Sequence, residues 1–283
     1  MRLAGYENLV KIFQGLIKEE KLSQSYIFFG EQQVGKLAFA LSLASYIETD
    51  SFDLPKLTAE GTPEHILKEL LIVRPEEDSI GIDKIREVKH FLSQKPVYAK
   101  IRTVIVDDAQ KLTDEAQNAA LKIAEEPPIG SLFILITQNL EALMSTVQSR
   151  FQKIYFPRLS DKEVINFLTK SHSIEPDRAK KIASVSFGRP GRAISLARDE
   201  KTRDIYKKVY SVLKKRTSKR ELITAILGEG VGYESIFTEL IAELANEPIK
   251  NYDTLRLITE RFTAISQFST NKRLQLETAL WNI

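Results

Sequence analysis

A phosphate-binding loop is the feature of this sequence that most constrains its fold. The residues Gly30-Glu-Gln-Gln-Val-Gly35-Lys36 follow an apolar run at 25–29 and lead into a helical pattern at 37–47. A strand, a glycine-containing turn and a helix in that order, with GxxxxGK at the turn, are typical of nucleotide-binding proteins. In such proteins backbone N–H groups and the lysine hold phosphate oxygens. The sequence therefore predicts a strand–loop–helix unit that can bind a nucleotide.

The loop has lost part of the chemistry of nucleotide hydrolysis. The residue after the lysine is normally Ser or Thr, whose hydroxyl binds Mg²⁺, and here it is Leu37, which has no oxygen. Gln33 stands where the tighter form of the motif has a glycine. The candidate cofactor is ATP or ADP with Mg²⁺, and the candidate binding residues in the loop are Gly30, Gly35, Lys36 and Leu37. We expect the chain's own ATPase activity to be absent or weak.

Length and composition narrow the class of protein further. The chain has 283 residues, of which 43% are hydrophobic and 28% charged, as in an ordinary globular protein with two or three domains. It has no cysteine and three scattered histidines, so disulfides and thiol chemistry are excluded and no zinc site is expected. No apolar run approaches the roughly 18 residues of a membrane-spanning helix, and the first residues lack a signal-peptide core. We therefore expect a cytoplasmic protein.

The positive charge is concentrated in one stretch. Residues 201–220 contain nine Lys or Arg residues against the single Asp204, while the net charge of the whole chain is +3. Such a stretch can form the solvated face of a helix near a domain joint, which is the simpler interpretation. It can also bind nucleic-acid phosphates. Salt-sensitive DNA binding that is lost on neutralising 214–216 would favour the second interpretation.

Strands and helices alternate beyond the loop. Buried strands are predicted at 101–106 and 132–136, and helices at 82–92 and 114–125. Thr113 is a suitable N-cap for the second of these helices, and the two prolines at 127–128 end it. Strands that alternate with helices of this length predict an α/β fold with a parallel sheet covered by helices on both faces.

After Pro157 the predicted strands cease and helices follow. Ser160 and Glu163 form a capping box at the start of one helix, a second begins at Pro176 and ends at Gly188, and 192–198 continues a third. Further helices are predicted at 205–215, 220–227, 233–246, 252–268 and 272–281.

We therefore predict a P-loop domain at 1–157, a small three-helix domain at 158–203 and an all-helical domain at 204–283. In the last domain, apolar helix faces can form an intramolecular core or a surface that binds other subunits. The residues concerned are Ile236, Leu240, Ile241 and Leu244.

Two acidic residues follow the strand at 101–106. Because the carboxyl ends of parallel strands meet at one edge of the sheet, Asp107 and Asp108 are expected near the loop. Asp107 is the candidate Mg²⁺ ligand if a nucleotide binds. Asp108 stands where an ATPase usually has a glutamate that orients water, and it is one methylene shorter. A pair of aspartates after a strand is more often a turn or a helix cap, but a phosphate loop upstream favours the nucleotide site.

Two further candidates lie after the next strand. Thr137 at the end of that strand can sense a γ-phosphate, or it can simply close the strand. Arg150 can serve a phosphate on a neighbouring subunit, because an arginine stays charged and forks onto anionic oxygens. Alternatively, it is an exposed arginine in a surface ion pair.

A series of motifs in fixed order resembles the bacterial clamp-loader subunits of DNA polymerase III, and within that family the delta-prime type. The resemblance covers about residues 5–200. It rests on Ser79-Ile-Gly-Ile-Asp-Lys-Ile-Arg-Glu-Val-Lys89, Lys95-Pro96, Val104-Ile-Val-Asp-Asp-Ala109, Lys111-Leu-Thr113, Asn118-Ala-Ala-Leu-Lys122, Glu125-Glu-Pro-Pro128, Ser149-Arg-Phe151 and Phe187-Gly-Arg-Pro-Gly-Arg-Ala193. Ser149-Arg150-Phe151 matches the family's Ser-Arg-Cys motif with its cysteine replaced.

The resemblance implies an AAA+ module, a three-helix lid and a helical collar that holds a five-subunit ring. In that family the delta-prime subunit is rigid, usually does not hydrolyse ATP and lends the arginine of Ser-Arg-Cys to its neighbour's ATP site. It therefore implies that Arg150 is a trans-acting arginine finger and that Arg192 is the lid sensor of nucleotide. The implied partners are gamma/tau-like and delta-like subunits, primer–template DNA within the complex and, indirectly, the sliding clamp, with no membrane.

The chain departs from the family pattern in two places. Bacterial relatives generally carry a four-cysteine zinc module, whereas the corresponding region at 49–69 is short and the chain has no cysteine, so the module is absent. Gly35 and Lys36 are retained where some delta-prime proteins have lost them, which leaves nucleotide binding open. Two alternatives to the delta-prime function therefore remain: a gamma-like ATPase motor, and a stand-alone DNA-binding helical protein that uses 201–220.

Overall fold

Five parallel strands form one sheet, and they lie in the order β2-β3-β4-β1-β5. The strands are β1 (Ser25–Phe29), β2 (Leu70–Val73), β3 (Arg102–Val106), β4 (Ser131–Thr137) and β5 (Gln152–Tyr155). The predicted α/β fold with a parallel sheet is confirmed. The computed structural model describes residues 5–53, 67–76, 78–198, 236–237, 240–241, 244, 249–267 and 271–281.

Helices connect the strands and continue after the last one. They are α1 (Glu7–Lys18), α2 (Lys36–Thr49), α3 (Ile82–Ser93), α4 (Asp114–Glu125), α5 (Ser145–Arg150), α6 (Asp161–His172), α7 (Pro176–Ser186), α8 (Pro190–Arg198), α9 (Tyr252–Gln267) and α10 (Lys272–Trp281). Short 3₁₀ turns lie at Ala109–Lys111 and Leu140–Ala142. No strand occurs after Pro157 in the part of the chain that the structure describes.

The sheet separates two apolar clusters because successive strand residues point to opposite faces. In β4, Phe133 and Leu135 pack with α3, α4 and α5, whereas Leu132, Ile134 and Ile136 pack with α1 and α2. Both faces are therefore covered, which explains why the central strands read as continuous apolar runs.

Helix boundaries follow local chemistry that the sequence predicts. The Thr113 hydroxyl accepts a hydrogen bond from the Ala116 N–H at the start of α4. Ser160 and Glu163 form the predicted capping box of α6. Gly188 takes a left-handed conformation, with φ 69°, directly after the turn that ends α7. The helix expected from 192 begins two residues earlier, at Pro190, because proline fits the first turn of a helix.

Four of the helices and strands were not predicted from the sequence: α1, β2, α5 and β5. The two strands have four residues each, and β5 lies at the edge of the sheet with three of its four residues exposed. A strand of that length leaves no periodic pattern to detect.

The chain divides into two compact units, Met1–Ala183 with Gly188–Arg192, and Ser184–Phe187 with Ala193–Ile283. The second has its own apolar cluster, in which Ile236, Leu240 and Leu244 are buried and Ile241 is partly buried, so these faces form an intramolecular core. The predicted helix at 272–281 is confirmed, and the one at 252–268 is confirmed up to Gln267. The predictions for 205–215, 220–227 and the basic stretch lie outside the described residues, and the domain bounds at 157 and 203 stay predictions. None of the described helices is long and apolar enough to cross a membrane.

Candidate functional site

The loop between β1 and α2 keeps the backbone shape of a phosphate-binding turn. Gly30 and Gly35 have φ values of 141° and 112°, which favour glycine. A Cβ at Gly30 would collide with the carbonyl oxygen of Phe156, so the strand end and the segment after β5 are in close contact. Gln33, in the place of a motif glycine, still has a left-handed φ of 62°. The turn geometry therefore survives the loss of that glycine.

The lysine of the motif is bonded to its own loop. The Lys36 ammonium donates to the carbonyl oxygens of Gly30 and Glu31, each at 2.6 Å, and the residue is 7% exposed. Burial lowers the pKa of Lys36 to about 8, and the charges of Asp107, Asp108 and Glu31 act in the opposite direction. Lys36 thus stabilises the loop from inside.

The next residue is part of the hydrophobic core. Leu37 is partly buried and packs against the apolar cluster that contains Phe28 and Phe39. The position that normally supplies a hydroxyl to Mg²⁺ therefore supplies an apolar contact. The backbone of the loop fits a phosphate, but the ligand set for Mg²⁺ is incomplete, and no hydrolytic step follows from this pocket.

An N-terminal tyrosine holds the loop from outside. The Tyr6 hydroxyl lies 3.0 Å from the Val34 carbonyl oxygen and 2.8 Å from that of Pro157. Burial is the main cause that raises the pKa of Tyr6 well above its ordinary value, so the hydroxyl stays a neutral donor. Its ring packs edge-on against Phe156. No sequence motif indicated this residue, because only the fold brings it to the loop.

The segment that begins α8 also contacts the loop. The Gly191 N–H donates to the Gln33 carbonyl at 2.9 Å, and the next residue, Arg192, is 5% exposed. The arginine predicted to be the lid sensor is therefore adjacent in sequence to Gly191, which contacts the phosphate loop directly. On the outer side, the Arg158 guanidinium pairs with the Glu31 carboxylate at 2.7 Å. The loop is held by neighbouring segments as well as by Lys36.

Asp107 lies at the carboxyl end of β3, as predicted. Its N–H donates to the Val73 carbonyl at 2.9 Å, and its carboxylate accepts from the Asp108 N–H at 3.1 Å. Arg74 Nε lies 3.8 Å from the same carboxylate. Burial, followed by the charge of Asp108, raises the pKa of Asp107, and Arg74 and Lys36 act against that rise. Asp107, Asp108 and Lys36 are thus close enough for the charges of the two aspartates to act on the pKa of Lys36, and for the charges of Asp108 and Lys36 to act on the pKa of Asp107.

Asp108 is tied to the neighbouring strand. It has a left-handed φ of 55°, and its carboxylate accepts from Gln110 Nε2 at 2.8 Å. The side-chain oxygen of Gln110, Oε1, accepts from the Gln138 N–H at 3.3 Å, just after β4. Thr137 is 1% exposed, and its hydroxyl donates to the Asn139 carbonyl at 2.8 Å. That contact closes the strand, and a role for Thr137 in sensing phosphate stays a prediction.

Arg150 lies apart from these residues, at the last position of α5. Its Nε lies 2.8 Å from Glu125 Oε1, and its side chain is 41% exposed. Its Nη1 makes longer contacts with the Thr146 carbonyl oxygen and the Ser149 hydroxyl, at 3.3 and 3.4 Å. None of these partners belongs to the phosphate loop, and the exposed side chain places this cation at the surface.

Within the described ranges, no group of three or more His, Cys, Asp or Glu side chains is placed to hold a metal ion. The sequence did not single out Tyr6, Arg74 and Gln110, and Glu125 was noted only as part of the motif at 125–128. Each of the four makes a contact with a residue far away in the chain, and no local pattern indicated these contacts.

A family model and several curated relatives point to subunits of DNA polymerase III. A family model described as DNA polymerase III, delta subunit, matches residues 5–160. DNA polymerase III subunit delta' of Bacillus subtilis is 26% identical over 220 residues, which is 74% of this chain and 65% of that protein. DNA polymerase III subunit gamma/tau of Mycoplasma genitalium is 31% identical over 201 residues, or 68% of this chain and 34% of that protein. The chain thus spans about a third of one relative and just under two thirds of the other.

A solved structure supports the same fold over nearly the whole chain. The crystal structure of a DNA polymerase III gamma subunit-related protein from Thermotoga maritima superposes with a TM-score of 0.58 at 19% identity. The match covers 95% of this chain and 97% of that chain. At this identity the likeness concerns the fold.

Proposed function

The chain belongs to the DNA polymerase III delta-subunit family of clamp-loader proteins, which have the AAA+ fold, and from that premise we propose that it is a delta-prime-like stator. In this function the chain helps to load the sliding clamp onto primed DNA. It completes the ATP site of an adjacent gamma/tau-like subunit with Arg150, and it hydrolyses little or no ATP itself.

The observation that carries the proposal is the surface position of the Arg150 guanidinium. Arg150 ends α5 and has a side chain that is 41% exposed, in the Ser149-Arg150-Phe151 segment. A guanidinium at the surface can reach a triphosphate that a second subunit holds, and there it stabilises the charge that develops during phosphoryl transfer.

The structure of the chain's own phosphate loop also supports the proposal. Leu37 packs into the apolar core and Lys36 is bonded to loop carbonyls. The loop is also held by hydrogen bonds from Tyr6 and Gly191. A module held in this way suits a rigid subunit whose conformation does not follow an ATP cycle.

The test is the ATP turnover of a reconstituted loader in which this chain is combined with delta-like and gamma/tau-like subunits. A trans-acting arginine is typically worth about 10³–10⁵ in rate. We therefore expect Arg150→Ala to lower DNA-stimulated turnover by about that factor while the chain stays folded and still joins the complex. Turnover equal to that of the wild type would contradict the proposed function.

A motor function is the second candidate, because Gly35 and Lys36 are retained and gamma/tau relatives match the chain. In that case Lys36, Thr137, Arg192 and the carboxylates of Asp107 and Asp108 would hold ATP with Mg²⁺ and orient water. Nucleotide binding and turnover by the isolated chain separate the two candidates. Turnover that disappears on Lys36→Ala would favour the motor.

The remaining partners are proposed on the same premise. Primer–template DNA lies within the assembled complex, and the sliding clamp is reached through the other subunits. A stand-alone DNA-binding function would depend on 201–220, which lie outside the described residues. Binding of primed DNA by the isolated chain, with a steep dependence on salt concentration, would support that function.

A further inference from the structure

Glu125 is placed where its charge is unfavourable for its own helix. It is the last residue of α4, and a carboxylate at the C-terminal end of a helix lies against the negative end of the helix dipole. Two prolines follow at 127–128, so the helix cannot extend to move Glu125 into its interior. The carboxylate of Glu125 is thus fixed at this end, where Arg150 of α5 is its ion-pair partner at 2.8 Å.

A second contact from α4 fixes the other end of α5. Gln117 is 4% exposed, and its side-chain oxygen accepts from the Met144 N–H, at the residue before α5, at 2.7 Å. Gln148 of α5 in turn donates to the Leu140 and Leu143 carbonyl oxygens at 2.9 and 2.8 Å. The backbone of α5 is therefore mounted on α4 and on the turn before it, independently of the ion pair.

The guanidinium of Arg150 has contacts at two of its three nitrogens. Nε faces Glu125 Oε1, and Nη1 has the two longer contacts within α5. Among the residues that the structure describes, Nη2 donates no hydrogen bond. A planar guanidinium whose Nε and Nη1 are engaged presents the N–H groups of Nη2 in a defined direction.

We propose that Glu125 is a positioning residue, which holds the Arg150 guanidinium so that its Nη2 side faces the triphosphate bound by a neighbouring subunit. This inference rests on the proposed function of Arg150 as a trans-acting arginine. Arginine carries several rotatable bonds, and an unrestrained side chain spends little time in the productive geometry. The ion pair is exposed on both sides, so it orders the side chain without contributing much to the stability of the fold.

The experiment measures kcat and KM for ATP in the reconstituted loader with primed DNA. Glu125→Ala is expected to lower kcat by about fivefold, the size of effect that an exposed charge pair supports, with KM within about twofold of the wild-type value. Glu125→Gln keeps the oxygen and removes the charge, so its kcat is expected between the two. Circular dichroism and co-elution with the other subunits confirm that each variant is folded and assembled.

Glu126→Ala is the matched control. Glu126 is the next residue, is also an exposed carboxylate, and makes no ion pair within the described part of the chain. Its removal changes the net charge equally and is expected to leave kcat unchanged.

A double variant shows whether Glu125 acts through the arginine. In the Arg150→Ala background, Glu125→Ala is expected to have no further effect on kcat, because the group that it positions is gone. An equal fall in both backgrounds would assign Glu125 a structural role instead. An unchanged kcat for Glu125→Ala alone would also overturn the inference, because it would show that Glu125 has no effect on turnover. A higher kcat would overturn it too, because it would show that Glu125 holds the arginine in an unproductive position.

The two proposals fail in different ways. If Arg150→Ala lowers turnover and Glu125→Ala does not, the positioning role alone is wrong. If Arg150→Ala leaves turnover unchanged, the proposed function is wrong and the positioning role fails with it.

Discussion

Two cations in this molecule illustrate how burial decides which partner a charge can serve. Lys36 is 7% exposed and its ammonium is bonded to two carbonyls of its own loop. Arg150 is at the surface, and with the described residues it makes one ion pair and two longer hydrogen bonds. The first cation stabilises a turn inside the chain. The second keeps donors available to another molecule, and this contrast underlies the proposed division of work between neighbouring subunits.

The largest effect should come from the glycine at which the loop meets the segment after β5. Gly30 has a φ of 141°, and a Cβ there would meet the Phe156 carbonyl oxygen, which is a backbone atom. Gly30→Ala is therefore expected to lower the free energy of unfolding by about 4 kcal/mol, from backbone strain and the clash together. Urea unfolding followed by circular dichroism measures it.

Gly15 provides the control for that substitution. It lies in α1 and has nothing within 4 Å of an added Cβ. Gly15→Ala should stabilise the chain by about 0.5–1 kcal/mol, because alanine loses less backbone entropy in a helix. If Gly30→Ala lowers the free energy of unfolding by less than about 1 kcal/mol, the loop can relax around the added Cβ. The loop would then not be fixed, and its proposed difference from the exposed Arg150 would be wrong.

A smaller effect is expected from the buried lysine, and it depends on pH. The pKa of Lys36 is about 8 in the folded chain, below its ordinary value of 10.5. Between these values the unfolded chain holds a proton that the folded chain lacks, so the free energy of unfolding rises with pH. The rise from pH 8 to 9.5 is expected to be about 2 kcal/mol.

Urea midpoints across that pH range provide the measurement, and Lys36→Met provides the comparison. Because methionine does not titrate, the rise should be absent from the variant. A wild-type chain whose stability is flat from pH 8 to 9.5 would show that Lys36 is solvated like Arg150, and the difference between the two cations would disappear.

The smallest effect concerns the tyrosine that holds the loop from outside. Tyr6→Phe removes the hydroxyl near the Val34 and Pro157 carbonyl oxygens, at 3.0 and 2.8 Å. The expected loss is about 1 kcal/mol of unfolding free energy, the usual net value of one hydrogen bond. Tyr252→Phe, at a tyrosine that is 64% exposed, should change stability by far less. Equal effects of the two substitutions would mean that the Tyr6 hydroxyl does not hold the loop.

Local patterns predicted several elements correctly, although the amphipathic helix α1 was missed. The strand at β1, the cap at Thr113 and the capping box at Ser160 were predicted because each depends on residues within a few positions. The boundary of α8 was missed by two residues, and β2 and β5 were missed altogether, because short edge strands are stabilised by pairing with distant segments.

In the candidate site, too, local motifs were predicted and long-range contacts were not. Its loop, the paired aspartates and Arg150 were predicted from motifs. The contacts that define what each residue can do were not, since they join residues far apart in the chain. Tyr6 reaches Pro157, Gly191 reaches Gln33, and Glu125 reaches Arg150.

By itself the sequence determined that this chain contains a phosphate loop without a hydroxyl for Mg²⁺, since Leu37 has no oxygen in any conformation. It also determined the parallel α/β sheet, because apolar runs that alternate with amphipathic helices can bury their surfaces in few other ways. Only the tertiary structure decided that Lys36 is turned inward while Arg150 is at the surface. Both residues are cations in the sequence, and their difference in exposure arises from packing between segments that are distant along the chain.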